Sequence, residues 1–396
     1  MRFLHTSDWH LGRSFHQVGL LDAQAAFVDH LVETVRAESV DAVLVSGDVY
    51  DRALPAPDTV RLLSEAVTRI IDAGATVVLS SGNHDSAIRL GFASELLARA
   101  GLHIRSDIAS IGHPVMVGDV AVYPLPYLEP SVAAGPLGTT ERTHAGVVEA
   151  ALARVAADRA QRPGAAVVMA HAFVTGGATS ESERDIAVGG VSAVHPRVFA
   201  DVDYAALGHL HRPQQVTPTV RYSGSPVALS FSEAGHAKGS WMVDVDGARV
   251  QVEPVDAPVP RPLGVLRGDL AELLSDPRHT RHEQSWCQVT LTDPVRPLGA
   301  MDQIRRRFPH TLVLQFDPQG APVSVRSYAQ RTASRTALDV CCDFVGHVRG
   351  GHVATDAERR LLAAAVEEVR LGRARADDEG CTVADEDVAE DGVGAA

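Results

Sequence analysis

The stretch "TVVLSSGNHDS", residues 76–86, changes character halfway along. Its first half is apolar and β-branched, as expected for a strand buried on both faces. Its second half sets an amide, an imidazole and a carboxylate side by side behind a glycine, as Asn83, His84 and Asp85. The same break from apolar run to polar terminus recurs in "RFLHTSD" (2–8), "AVLVSGD" (42–48), "AVVMAHA" (166–172) and "YAALGHLH" (204–211). Helical patterns lie between these runs. In "DTVRLLSEAVTRIIDA" (58–73), Leu62, Leu63, Ala66, Val67, Ile70 and Ile71 form one stripe, with Asp58 as the expected N-cap and Gly74 as the stop. Segments 22–38, 89–100 and 145–160 also read as helices. Strands alternating with helices define an α/β core.

Each early strand ends in groups able to bind a metal. Asp8 and His10 follow the first and Asp48 the second; Asn83 and His84 follow the third, His171 the fourth, and His209 and His211 the fifth. In α/β sheets, ligands gather at the carboxyl ends of strands, so residues spread over some two hundred positions can share one pocket. Carboxylate, imidazole and amide oxygen form a mixed hard and borderline set. It suits Mn²⁺, Fe or Zn²⁺ rather than an all-oxygen Ca²⁺ cage. The set exceeds the needs of one ion and matches two ions sharing a carboxylate. Such a pair clamps both oxygens of an in-line phosphoryl displacement. Each motif alone has an ordinary reading: Asp48 as a turn residue, His171 as a hydrogen-bonded core histidine, "GHLH" as two histidines meeting in a turn. Their appearance at five successive strand ends is what chance does not supply.

Beyond residue 211 the pattern turns strand-rich at 220–226, 239–246 and 249–255. A proline-spaced linker, "PVDAPVPRPLG" (254–264), reads as a domain boundary. A small β/α unit follows, with strands "LGVLRG", "WCQVTLT" and "TLVLQF" and helices near 269–275 and 299–308. Leu338, Cys341, Cys342, Val345 and Val348 then stripe one helix. Gly350 and Gly351 break it, and Thr355 and Glu358 form a capping box that opens another. The tail gathers Asp377, Asp378, Glu379, Asp385, Glu386, Asp387, Glu390 and Asp391 against only Arg373 and Arg375, and reads as disordered.

The chain of 396 residues is 45% hydrophobic, enough for one large domain and a smaller one. The start, "MRFLHTSDWHLG", shows no signal-peptide pattern, and no apolar run reaches membrane-spanning length, so a cytoplasmic location is expected. Four cysteines without C-x-x-C spacing read as incidental thiols. Lys238, the only lysine, reads as coding bias rather than function. The net charge of −14 is unlike a freestanding DNA-binding domain.

The ordered motifs "DWH", "GDVYD", "GNHD", "AHA" and "GHLH" resemble the calcineurin-like metallophosphoesterase superfamily. "HTSDWHLGRSF", "SESERDIAVGG" (180–190) and "YSGSPVALSFSEAG" (222–235) resemble its SbcD branch, the nuclease subunits of SbcCD complexes. The resemblance implies a core of two facing β-sheets flanked by helices (1–255), a small α/β capping domain (262–328) and a helical hairpin (334–371). The acidic disordered tail (372–396) is a departure from it. It also implies two divalent ions, with Mn²⁺ the usual choice. Asp8, His10 and His211 would hold the first, Asn83, His171 and His209 the second, and Asp48 would bridge them. His84 would serve the scissile phosphate, with Asp85 orienting it and Asp51 also behind the ligands. Arg305, Arg306 and Arg307 would either touch DNA phosphates or face solvent at a helix end.

The function so implied is 3′–5′ double-strand exonuclease and single-strand or hairpin endonuclease activity in DNA repair, recombination and replication. The partner would be an SbcC-type coiled-coil ATPase docked on the hairpin and supplying much of the DNA-binding surface. A homodimer within a heterotetramer is expected; Leu62, Val67 and Ile70, or Leu96 and Leu97, would serve as its face, and packing into the core explains those residues equally well. Two alternatives share the motifs: a phosphomonoesterase or cyclic-nucleotide phosphodiesterase, and a non-catalytic DNA-end scaffold.

Overall fold

The apolar runs are strands, and their alternation explains their composition. In this computed structural model, which describes residues 1–184, 193–319, 335–349 and 351–379, the chain divides into two compact units. The first comprises Met1–Val265 with Gln284–Cys287. It holds two six-stranded sheets. One runs, edge to edge, Arg249–Asp256, Gly239–Asp246, Arg2–Thr6, Ala42–Ser46, Thr76–Ser80 and Leu102–Arg105. The last four strands are mutually parallel, and a hairpin closes the other edge. The other sheet runs Gln214–Thr217, Val220–Tyr222, Tyr204–Gly208, Ala166–His171, Val120–Pro124 and Val115–Val117, with a parallel centre and antiparallel edges.

Successive residues of one strand serve different cores. Phe3, Ala42, Leu44 and Val78 meet Val167, Met169 and Ala206 in a layer between the sheets. Their neighbours Leu4, Val43, Val45, Val77 and Leu79 face outward under helices Leu21–Glu38 and Pro57–Asp72. Val168, Ala170 and Leu207 do the same under helix His144–Arg159 on the far side. With both faces covered, a strand shows no polar alternation. Polar ties cross the middle layer. His5 meets the Tyr204 hydroxyl at 2.9 Å and the Leu207 carbonyl at 3.1 Å, and Ser46 donates to the Ala206 carbonyl at 2.9 Å. Burial drives the His5 pKa down to about 3, so it crosses the core uncharged.

The sheets approach most closely at the carboxyl ends of their strands. A Cβ on Gly208 would lie 1.9 Å from the Ser46 carbonyl oxygen, and one on Gly47 would lie 2.4 Å from His171 Nδ1. Only glycine fits at either place.

The second unit comprises Leu266–Glu283 and Gln288–Ala396. The small sheet orders Leu263–Gly268, Trp286–Leu291 and Thr311–Phe316. Helices Leu270–Ser275 and Ala300–Arg307 bury Leu270, Leu273, Ala300 and Ile304. Helices Ala337–Val348 and Asp356–Glu379 form the expected hairpin. Its capping box is made as read: the Thr355 amide donates to Glu358 at 2.9 Å and the Glu358 amide returns to Thr355 Oγ1 at 3.4 Å.

Several expectations need correction. Pro57, not Asp58, opens its helix; Ala56 is the N-cap and Asp58 sits in the first turn. Segment 89–100 is two short helices, Ala87–Leu90 and Ser94–Ala98, parted at Ala93 with φ 57°. Leu62, Val67 and Ile70 are buried in the core and cannot form a dimer face. The final helix continues to Glu379, past the expected end at 371. The rest of the tail, and all of 185–190 and 320–328, lie outside the described residues. Among the described residues no helix is long and apolar enough to cross a membrane.

Gly208→Ala should cost about 1–3 kcal/mol, because the strand ends must separate to admit the methyl. Denaturant unfolding checks this; an unchanged midpoint would mean that the approach of the sheets is not tight.

Candidate metal centre

The strand ends deliver the predicted groups to one buried place. Asp8, His10, Asp48, His84, His171, His209 and His211 are all buried, and Asn83 is half-buried. They get there through left-handed backbone turns. Asp8, His10, Asp48 and His209 have φ of 53°, 43°, 48° and 103°, which L-residues adopt only under constraint. The constraint is hydrogen-bonded. The Asp8 carboxylate accepts the His209 amide at 3.0 and 3.1 Å, joining the first sheet's turn to the second's. Asp48 Oδ1 accepts the His84 amide at 2.8 Å.

Three overlapping groups of donor atoms lie within 4.8 Å of one another: Asp8, His10 and His211; His10, Asp48 and His84; Asp8, Asp48 and His171. His10 Nε2 and His211 Nε2 are 3.1 Å apart. His171 Nε2 is 2.9 Å from Asn83 Oδ1 and 3.4 Å from Asp48 Oδ2, and His10 Nε2 is 3.6 Å from that same Asp48 oxygen. Donors bound at about 2.1 Å and spaced by right to tetrahedral angles lie about 3.0–3.4 Å apart, so these separations fit shared cations. Asp48 Oδ2 stands between the two histidine groups, as a bridging carboxylate must. The His209 ring packs edge-on to His171, with centroids 5.3 Å apart.

Electrostatics agree. Burial drives His10 and His209 toward neutral imidazole, His209 to about 3, which is the form that binds a metal. Burial raises Asp8 to about 6 against the pull of His171 and His211. Burial also opposes ionisation of Asp48, but the histidines around it, His171 foremost, outweigh that and hold it well below the usual carboxylate range. His171 is correspondingly raised to about 9: burial opposes the proton, and Asp48 prevails. The Asp48 position therefore demands a positive charge beside it, which a divalent cation supplies. The three overlapping donor groups could hold divalent ions, and Asn83 Oδ1 lies beside the His171 donor atom.

His84 stands at the edge of this centre. Its Nδ1 donates to the Asp51 carbonyl at 2.7 Å, which leaves Nε2 directed inward, 3.9 Å from Asp48 Oδ2. Burial lowers its pKa, opposed by Asp48. Asp85 does not orient it, contrary to the expectation. The Asp85 carboxylate instead accepts the amides of Val49, Tyr50 and Gly82 at 3.1, 2.9 and 2.9 Å and so braces the two loops that carry Asp48 and Asn83. Consecutive side chains in a turn diverge, so adjacency in sequence misled here. The Asp51 side chain lies 3.8 Å from His10 Nδ1 and accepts from Arg13 at 3.3 Å. Arg305 and Arg307 are tied within the second unit, to the Thr311 carbonyl and to Glu283, respectively; Arg306 is exposed.

The sequence reading missed the surroundings of His211. Ser182, Glu183, Glu233 and Lys238 contact it directly or through one another. The segments carrying the first three were noticed for their resemblance but given no role. Lys238, set aside as coding bias, is buried against Glu233.

A family model for calcineurin-like phosphoesterase matches residues 1–213. The chain belongs to the calcineurin-like phosphoesterase family, whose fold uses divalent metals to hydrolyse phosphoesters. A second model, SbcD_C, described as Type 5 capsule protein repressor C-terminal domain, matches residues 259–346. The two in series are consistent with an SbcD-type nuclease subunit. Among solved structures, a dimetal phosphatase from Danio rerio shares 12% identity over 65% of this chain and 99% of its own, with a TM-score of 0.39. The calcineurin-like phosphoesterase YfkN from Bacillus subtilis shares 12% over 65% and 90%, with a TM-score of 0.35. An archaeal phosphodiesterase shares 11% over 64% and 100%, with a TM-score of 0.30.

In a Mn²⁺ titration the parent should take up two ions per chain. Asp48→Ala should weaken both by at least about tenfold, whereas His171→Ala should weaken one. Loss of a single ion in Asp48→Ala would remove the bridging role.

Proposed function

We propose that this chain is a two-metal DNA nuclease, the catalytic subunit of an SbcCD-type complex, cutting duplex ends 3′–5′ and single strands or hairpins. One observation carries the reading: a buried Asp/His centre built for two cations occurs on the same chain as an SbcD_C domain. When bound, Mn²⁺ ions would polarise the phosphate and lower the pKa of a water to give hydroxide near neutral pH. The chain's own residues do the rest. Asp48, anchored through Oδ1 by the His84 amide, keeps Oδ2 pointed into the centre. His84, fixed at Nδ1 by the Asp51 carbonyl, offers Nε2 to the phosphate. A second proton on Nε2, drawn there by an anionic phosphate against the lowering effect of burial, would stabilise charge on the phosphoryl oxygens or pass to the leaving 3′-oxygen.

The hairpin supports a partner. Leu361 is 72% exposed and Val353 81%, and Phe344, Val348 and Val369 are also exposed, so among the described residues these apolar side chains have no cover. An SbcC-type coiled-coil ATPase is the proposed cover, and it would bring the DNA-binding surface that a chain of charge −14 does not advertise. For the homodimer, exposed Ile88, Phe92 and Leu96 replace the buried residues first considered. The setting is cytoplasmic DNA repair.

With Mn²⁺, duplex DNA ends should be degraded in preference to a generic aryl phosphate, more so when the partner ATPase is added. His84→Ala should lower kcat about 10²–10⁴-fold with metal content unchanged. Equal turnover by His84→Ala would revive the scaffold reading, and aryl phosphate preferred over DNA would favour the phosphomonoesterase.

A further inference from the structure

His211 is held at three points by residues that no metal-binding pattern includes. Its amide donates to Glu183 Oε1 at 2.8 Å, and its carbonyl accepts from Lys238 Nζ at 2.9 Å. Its Nδ1 meets Ser182 Oγ at 2.5 Å. Ser182 Oγ in turn donates to Glu233 Oε1, in a contact shorter still. Glu233 is fully buried and pairs through Oε2 with Lys238 Nζ at 2.5 Å; the ammonium also donates to Ser225 Oγ at 2.9 Å.

The direction of these bonds follows from the donor inventory. An ionised carboxylate only accepts, so Ser182 gives its one hydroxyl hydrogen to Glu233. Ser180 Oγ lies 2.9 Å from Ser182 Oγ and 3.3 Å from Glu233 Oε1, and its one hydrogen has its shortest carboxylate acceptor in Glu183 Oε2 at 2.8 Å. Ser182 must therefore accept from His211, which places the imidazole hydrogen on Nδ1. The lone pair is then on Nε2, the atom 3.1 Å from His10 Nε2 in the metal centre. The Lys238 ammonium, in contact with Oε2, is the positive partner of the buried Glu233 carboxylate. A buried carboxylate with a paired ammonium is costly to assemble and is retained where it fixes a geometry.

We propose that Ser182 and Glu233, with Lys238 securing the carboxylate, are positioning residues that fix the tautomer and aim of His211 for one of the two divalent cations. The inference rests on the two-metal reading of the site. It links two segments, 180–183 and 231–238, that neither the ligand motifs nor the phosphate chemistry explains. Metal-bound imidazoles depend on such partners at their second nitrogen, and loss of one costs about 10–100-fold in affinity.

The test uses the full chain with Mn²⁺ alone, so that it does not depend on DNA cleavage. Ser182→Ala removes the relay without stranding a charge, Ser182→Thr restores the hydroxyl, and Glu233→Gln keeps the shape. Ion binding is followed by calorimetry, and the His211 tautomer by long-range ¹H–¹⁵N correlation in the metal-free protein. Ser182→Ala should weaken one of two ions about 10–100-fold, leave the other unchanged and lose the fixed Nδ1–H tautomer. Ser182→Thr should recover both properties, and Glu233→Gln should fall between. Parent-like binding and tautomer in Ser182→Ala would overturn the proposal. So would equal impairment of Ser182→Ala and Ser182→Thr, because that marks a packing role. If the parent binds two ions but cuts no DNA, the nuclease reading fails while this one stands.

Discussion

The centre depends on how closely the carboxyl ends of the two sheets approach. Gly208 lies against the Ser46 carbonyl and Gly47 against the His171 ring, with no room for a side chain at either. At that distance, groups from separate sheets share hydrogen bonds, and the Asp8 carboxylate on one turn can hold the His209 amide of the other. Backbone at positive φ costs about 1–3 kcal/mol per residue, and Asp8, His10, Asp48 and His209 all carry it. The layer of apolar side chains between the sheets over-determines the strand positions, so the turns have no cheaper conformation to relax into.

The charge pattern within the pocket follows from that closeness. Asp8 and Asp48 are both buried among histidines: burial drives His10 and His209 toward the neutral form, and Asp48 pushes His171 up to about 9. Two carboxylates in so small a volume repel each other unless cations lie between them. The same arrangement excludes His84 from the bridging position: its Nδ1 is committed to the Asp51 carbonyl, and its Nε2 stands farther from Asp48 Oδ2 than those of His10 and His171.

Much of this was legible in the sequence because it is written in strand ends. Strands covered on both faces read as unbroken apolar runs, and their polar termini announced the ligands. Edge strands were harder. Val115–Val117 and Gln214–Thr217 are short, and Leu102–Arg105 alternates around half-buried residues. The helix Pro130–Leu137 was hidden by Pro136 inside it. In the site, Asp85 was assigned the wrong partner because its neighbour in sequence is not its neighbour in space. Ser182, Glu233 and Lys238 were not legible as a unit. Serine, glutamate and lysine are ordinary surface residues, and only the fold brings these three under His211.

The most direct test of the account is anomalous diffraction at the manganese edge from crystals of the protein grown with Mn²⁺. Two peaks about 3.5–4 Å apart are predicted. The Asp48 carboxylate should lie between them, with His211 on one and His171 on the other. A single peak, or two peaks with Asp48 bound to neither, would contradict the shared-carboxylate centre on which the hydrolase assignment stands.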